Sequence, residues 1–225
     1  MYTPAHFAEA DLSKLQAAIE AYSFATLVSK QDGALTASHL PLLLKRDGGA
    51  PSNYGTLVGH MAKANPQWEQ AAGQEVLAIF AGPHAYISPT WYEEEKVVPT
   101  WNYVAVHACG RLELVPDSTQ KLDILQQTVS IYERNMPVPW TMSQPGEFLT
   151  RLVDQIVAFQ IPLGRLEGKW KLNQNHPLAR RQRVIAALKT CQDEAAWEIA
   201  GLMEERLVVI NTHANRSRRQ PGSNR

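Results

Sequence analysis

The chain has 225 residues, 44% of them hydrophobic and 20% charged, with 22 basic and 22 acidic side chains. Such a length suits one large domain with an appendage and buries a core without staples, while the balanced charge removes any whole-molecule field toward nucleic acid or anionic lipid. Two widely spaced cysteines, Cys109 and Cys191, form no zinc motif, which needs about four Cys/His ligands at short paired spacing.

No run approaches the ~18 apolar residues of a membrane span. The first residues lack the basic and apolar regions of a signal peptide. A cytoplasmic protein with two reduced thiols and no membrane contact is therefore expected.

Asp11 followed by Leu12, Leu15 and Ile19 predicts an N-capped amphipathic helix over 12–22. Residues 24–29 and 35–44 read as two strands, joined at Asp32-Gly33, the dipeptide of a tight hairpin. A Gly/Pro/Ser loop over 46–53 leads to a strand over 54–60. Asn65-Pro66 predicts an N-cap and a proline at the first helical position, with the helix stopping at Gly73.

Further strands are expected over 76–80, 85–88 and 101–115. Asp117 caps a helix whose apolar face holds Leu122, Leu125, Val129 and Tyr132. A loop over 137–145, a helix from Glu147 and a strand over 156–166 follow. Two helices, 177–189 and 194–206, come next, and residues 213–225 are polar and expected to be disordered. Short strands, hairpin turns and few connecting helices give an α+β, mainly β architecture, an antiparallel barrel with peripheral helices. The expected organisation is a barrel domain over 1–175, a helical pair over 176–212 packed on the barrel or a partner, and a basic tail.

Three segments carry chemistry. Around Lys63 a strand ends and a helix opens, and helix N-termini with a nearby ammonium suit a phosphate, although most helix starts bind nothing. In the strand before it, Thr36 and Ser38 share one face and Ala37 and His39 the other, while Pro41 implies an edge or a bulge. Small hydroxylated residues there would let a flat ligand approach the backbone. Trp91, Tyr92, Trp101 and Tyr103 concentrate aromatic surface in the third segment, as cores, interfaces and pockets all do.

His39, His60, His84 and His107 fall near strands, but no His-x-His or His-Glu-x-x-His pattern occurs. Gly-x-Ser-x-Gly, P-loop and Rossmann fingerprints are absent as well. A nucleophilic or zinc hydrolase has no warrant in these residues.

Met1-Tyr-Thr-Pro4, Ser38-His-Leu-Pro41, Gly59-His-Met-Ala-Lys-Ala-Asn-Pro66, Gly82-Pro-His-Ala-Tyr-Ile-Ser-Pro89, Pro99-Thr-Trp-Asn-Tyr103 and Lys169-Trp-Lys-Leu-Asn-Gln-Asn175 occur in that order. Together they resemble the PaiB-type family, described as FMN-binding negative transcriptional regulators. The resemblance implies a six-stranded antiparallel Greek-key split β-barrel, like that of pyridoxamine-phosphate oxidases and flavin reductases. It also implies a homodimer with FMN in a cleft between the subunits.

On that resemblance Thr36, Ser38, His39, Leu40 and Pro41 flank the flavin ring. His60, Met61, Ala62 and Lys63, with Asn65, meet the phosphate. Trp101, Asn102, Lys171, Gln174 and Asn175 contribute from neighbouring or partner-chain walls. One position departs from the family pattern: Lys-Leu-Ser-Gln-Asn-Arg is here Lys171-Leu-Asn-Gln-Asn-His176. A planar bidentate donor is thereby exchanged for a titratable ring, which would weaken anion affinity or make it pH-dependent.

Three functions follow from the resemblance: a negative regulator, an FMN-dependent oxidoreductase acting on a small molecule, and a haem-binding or haem-utilisation protein. For the first, Arg180, Arg181, Arg183, Lys189, Arg216, Arg218 and Arg219 offer a weak, non-specific DNA contact through phosphates. Glu194, Glu198, Glu204 and Glu205 on the second helix oppose its entry into a polyanionic groove.

Overall fold

Asp11 accepts a hydrogen bond from the Lys14 amide at 3.2 Å and starts α1, Leu12–Ala21, in the computed structural model. The structure describes residues 1–46, 53–142 and 146–217. The chain after α1 forms β2 (Phe24–Gln31) and β3 (Ala34–Pro41), with the short β1 (Ala8–Glu9) before it. Asp32 and Gly33 both take positive φ, 50° and 87°, as a two-residue turn matched to strand twist requires. Leu42 then leaves the ladder: its amide bonds Ser23 O at 2.9 Å, so the strand expected over 35–44 divides into β3 and β4 (Leu43–Lys45).

β5 (Thr56–Ala62), α2 (Gln67–Ala71), β6 (Glu75–Ile87), β7 (Thr100–Arg111) and β8 (Glu113–Val115) follow. Gly82-Pro83, expected to interrupt a strand, lies inside β6; proline's φ suits extended chain and only its N–H is missing. The rest is α3 (Ser118–Glu133), α4 (Gly146–Asp154), β9 (Ile156–Lys171), α5 (Leu178–Leu188) and α6 (Glu194–Ser217). Residues 213–217, expected to be disordered, belong to α6. The loop expected over 46–53 and the last eight positions of the tail fall largely or wholly outside the described residues.

The described strands make one nine-stranded sheet in the order β3-β2-β6-β7-β9-β5-β4, with β1 and β8 also paired to β9. The expectation of six strands is corrected. The count rises because β1, β4 and β8, each two or three residues long, join the ladder. The strand path is open, ending on β3 and β4. The pairings β2–β3, β2–β6, β4–β5, β5–β9 and β8–β9 are antiparallel.

Two compact units divide the chain. The first comprises Met1, Glu9–Ala81 and Ala105–Gly168. Its core includes Leu43 of β4, Val58 of β5, Val115 of β8, Ala158 of β9 and Ile124 of α3. Asp117 caps α3, accepting from the Gln120 amide at 2.9 Å. The second unit comprises Tyr2–Ala8, Gly82–Val104 and Lys169–Arg225. There α5 buries Val184, Ile185 and Leu188, and packs against α6, which buries Ala196, Ile199, Ala200 and Met203. The i, i+3, i+4 spacing of these residues puts an apolar stripe on each helix.

Candidate functional site

Within the first unit, the turn after β5 is held from several sides. The Lys63 amide donates to Gln155 O at 2.8 Å, and Lys63 O accepts from the Trp68 indole at 2.9 Å. The Asn65 side chain donates to Ser38 Oγ at 2.9 Å and accepts from the Gln67 amide at 3.0 Å. Gln67 is fully buried, with Nε2 at 3.1 Å from Leu27 O, 3.0 Å from Ser29 Oγ and 3.3 Å from Thr36 O. One side chain thus ties α2 to both strands of the hairpin.

This geometry changes the physics expected of the turn. α2 has five residues, begins after Pro66 rather than at it, and its first amide is taken by Asn65. The amides of Lys63 and Asn65 are also spent, on Gln155 O and Ala62 O. The helix-terminus contribution expected here therefore gives way to the point charge of Lys63, which is exposed and makes no ion pair among the described residues. His60 is half-buried, and burial pushes its pKa down, so a neutral ring is favoured. Its Nδ1 has no partner among the described residues. Met61 is buried in the core and Ala62 is exposed.

Along β3 the alternation is as read: Thr36, Ser38 and Leu40 are half-buried, Ala37 and His39 exposed, and Pro41 half-buried at the end. His39 Nδ1 lies 3.1 Å from Thr26 Oγ1, and its ring stacks on Phe24 with centroids 6.4 Å apart. β3 pairs with β2 and ends the strand path, so its second edge carries no described ladder. Thr36, Ser38, Lys63 and Asn65 are therefore one assembly, with Gln67 as a member that sequence reasoning missed. No local signal marks Gln67, because its partners are 31 to 40 positions away.

The other expected residues belong to the second unit. Lys171 donates to Thr100 Oγ1, and to Trp101 O at 2.7 Å. The Gln174 side chain accepts from the Leu172 amide at 2.6 Å and donates to Trp170 O, so both ends of its amide close the loop after β9. Asn173 turns that loop with φ at 59°, a left-handed conformation that asparagine tolerates. Asn102 is fully buried, with Nδ2 3.4 Å from Met203 Sδ and Oδ1 unpartnered among the described residues. Trp101 is exposed, near the rings of Tyr86 and His84 at 5.8 and 6.0 Å.

A cavity of about 340 Å³ opens in this unit, and Lys171, Asn175 and His176 are among its lining residues. Burial and the neighbouring Lys169 push the Lys171 pKa down. The His176 ring tilts over Tyr92 at 5.6 Å and bonds Arg180 Nη1 at 2.8 Å. Burial first, then Arg180, pushes its pKa down.

Three of the four basic residues over 180–189 are ion-paired. Arg180 pairs with Glu94, Arg183 reaches the same carboxylate at 2.8 Å, and Lys189 pairs with Glu204 at 2.6 Å. Arg181 is buried and its pKa is pushed down by burial.

The family model described as "Putative FMN-binding domain" matches residues 1–165. The protease synthase and sporulation protein PAI 2 of Bacillus subtilis is 34% identical over 211 residues, covering 92% of this chain and 98% of the relative. This chain belongs to the PaiB-type FMN-binding family. The FAD- and haem-binding protein of Mycobacterium smegmatis matches with a TM-score of 0.57 at 14% identity, over 80% of this chain and 79% of its own. The flavocytochrome Anf3 of Azotobacter vinelandii matches with a TM-score of 0.53 at 15% identity, over 73% and 69%. At such identities the likeness is one of fold. The family-model match reaches past β8 into β9 and contains the whole Lys63 turn, whereas the Lys171–His176 loop lies beyond its last residue. Among the described residues no helix is long and apolar enough to cross a membrane.

Proposed function

We propose that the protein binds FMN as a cytoplasmic flavoprotein, with the phosphate at Lys63 and the ring along Thr36–Pro41. The observation that carries this reading is the Lys63 turn itself. Its backbone is pinned by Gln155 and Trp68 while its ammonium stands exposed, beside a strand whose half-buried residues include Thr36 and Ser38. A fixed backbone with a free cation loses little order on binding an anion. Bound FMN would supply electron transfer; the chain's own residues position it and shield it.

We further read the six long strands as a Greek-key split barrel that pairs as a homodimer around the flavin. Phe24 and Leu35 support this, being apolar, well exposed and both on the β2–β3 hairpin. Redox action on a small molecule is favoured over reading of an operator, because Arg180, Arg183 and Lys189 are already paired within their own unit and Arg181 is buried. The names of the two fold relatives, a flavocytochrome and an FAD- and haem-binding protein, support haem as a second reading.

The absorption spectrum of the purified protein, followed by FMN titration and sedimentation, tests these readings together. Flavin bands and one FMN per chain in a dimer support the proposal, a Soret band supports haem, and a colourless monomer that refuses FMN overturns it.

A further inference from the structure

Among the described residues Lys171 is a cation without a counter-ion. Its ammonium donates to the Thr100 hydroxyl and the Trp101 carbonyl, and among the described residues the charge that acts on it is that of Lys169, of like sign. An ammonium has three donors, so one remains. Taking a charge from water without a partner is costly, and such groups are normally paired.

The residue lines a cavity of about 340 Å³, inside the range of roughly 300–1,000 Å³ usual for small-molecule sites. Lys96 and Arg180 add positive charge to its lining, and no carboxylate does among the described residues. Arg180 is spent on Glu94 and on His176 Nδ1. A guanidinium can only donate, so Nδ1 accepts and the neutral ring carries its proton on Nε2. Lys171, His176 and Asn175, each carrying a side-chain donor, thus share one lining with the apolar Phe7 and Val97.

We propose that this cavity binds a small organic anion, a carboxylate or phosphate group on an apolar body, with Lys171 as its counter-charge. The donor set suits an oxyanion, since charge-assisted hydrogen bonds are the stronger kind. The inference goes beyond the flavin reading, which rests on Lys63 and the Thr36–Pro41 strand.

Calorimetric titration of the wild-type protein with benzoate, phenyl phosphate and benzyl alcohol tests it. At least one of the two anions should bind once per chain, at least about tenfold more tightly than the neutral alcohol; whichever anion binds better identifies the head group. Lys171→Gln should weaken that anion about tenfold or more. Lys96→Gln, at an exposed position with no ion pair among the described residues, should weaken it about two- to threefold and serves if Lys171→Gln fails to fold. No anion binding up to about 10 mM, equal binding of the alcohol, or a folded Lys171→Gln that binds like wild type overturns the proposal.

Discussion

Arg180 holds His176 in one tautomer. Nη1 of the guanidinium donates to Nδ1 of the ring at 2.8 Å, while Nε and Nη2 of the same group bond Glu94. The neutral ring is therefore a donor through Nε2. His176, where the resemblance implies an arginine, is in this chain a fixed uncharged donor.

Nitrogen NMR of the His176 ring should show the Nε2–H form at neutral pH and protonation only below the usual histidine range. Burial is the larger cause of that depression and Arg180 the second, whereas Glu94 acts in the opposite sense. Arg180→Gln removes one lowering influence and keeps the raising one, so the His176 pKa should rise in that variant. A pKa that stays put or falls would show that the guanidinium does not act on the ring.

The features legible in the sequence were those set by neighbours in the chain. Asp11 and Asp117 cap their helices, and Asp32-Gly33 turns its hairpin, because each acts within three residues of itself. The apolar face of α3 was half legible. Ile124 is the residue it buries deeply, while Tyr132 is exposed and bonds Ser23 at 2.7 Å. Leu122, Ile124, Leu125 and Val129 allow more than one stripe at helical spacing. The site was least legible where a side chain is spent over distance: Arg180 meets Glu94 86 positions away, and Lys171 meets Thr100 71 positions away. A basic residue in a sequence shows its charge but not which carboxylate has already taken it.

At Gly110 β7 runs close against Ile161 and Pro162 of β9. A Cβ there would stand 2.2 Å from Pro162 O and 2.8 Å from Ile161 Cγ2, and backbone cannot yield as a side chain can. Gly110→Ala should destabilise the protein by about 3 kcal/mol in chemical denaturation. Gly201 lies inside α6, and a Cβ there would meet open space, with no atom beyond its own helix backbone within 4 Å. Gly201→Ala should instead stabilise by up to about 1 kcal/mol.

Burial pushes the pKa of His60 below its ordinary value, so the folded chain favours the neutral ring. As pH falls through the usual histidine range, the unfolded chain takes up a proton that the folded chain resists. The stabilising contribution is thus complete above that range and is lost below it. His107 and His176 have the same sign. The melting temperature should fall between about pH 7.5 and about pH 5.5, and fall less in His60→Asn. Equal slopes would show that His60 does not contribute.

Lys63→Ala should weaken FMN about tenfold and leave riboflavin nearly unaffected. The exposed ammonium is the turn's free cation, whereas the Lys63 amide and carbonyl, already bonded to Gln155 and Trp68, survive the substitution. Fluorescence titration with both ligands checks this. Parallel losses for the two would move the phosphate away from Lys63.

The ion pairs of α5 make a prediction about nucleic acid that charge counting alone reverses. Arg183 and Lys189 would count as two phosphate contacts if free, and each such contact adds roughly 0.9 to the slope of log affinity against log salt. Both are held by carboxylates, Glu94 at 2.8 Å and Glu204 at 2.6 Å. The double variant Arg183→Ala, Lys189→Ala should therefore leave the salt slope of any DNA retention unchanged. Glu94→Gln takes the carboxylate from Arg180 and leaves Arg183 only its contact with Glu93 at 4.0 Å, and should raise low-salt retention where wild type shows little. A drop in slope of one or more in the double variant would mean that these side chains leave their carboxylates for phosphate, and the regulator reading would then gain the contact surface it lacks in the ion-paired arrangement.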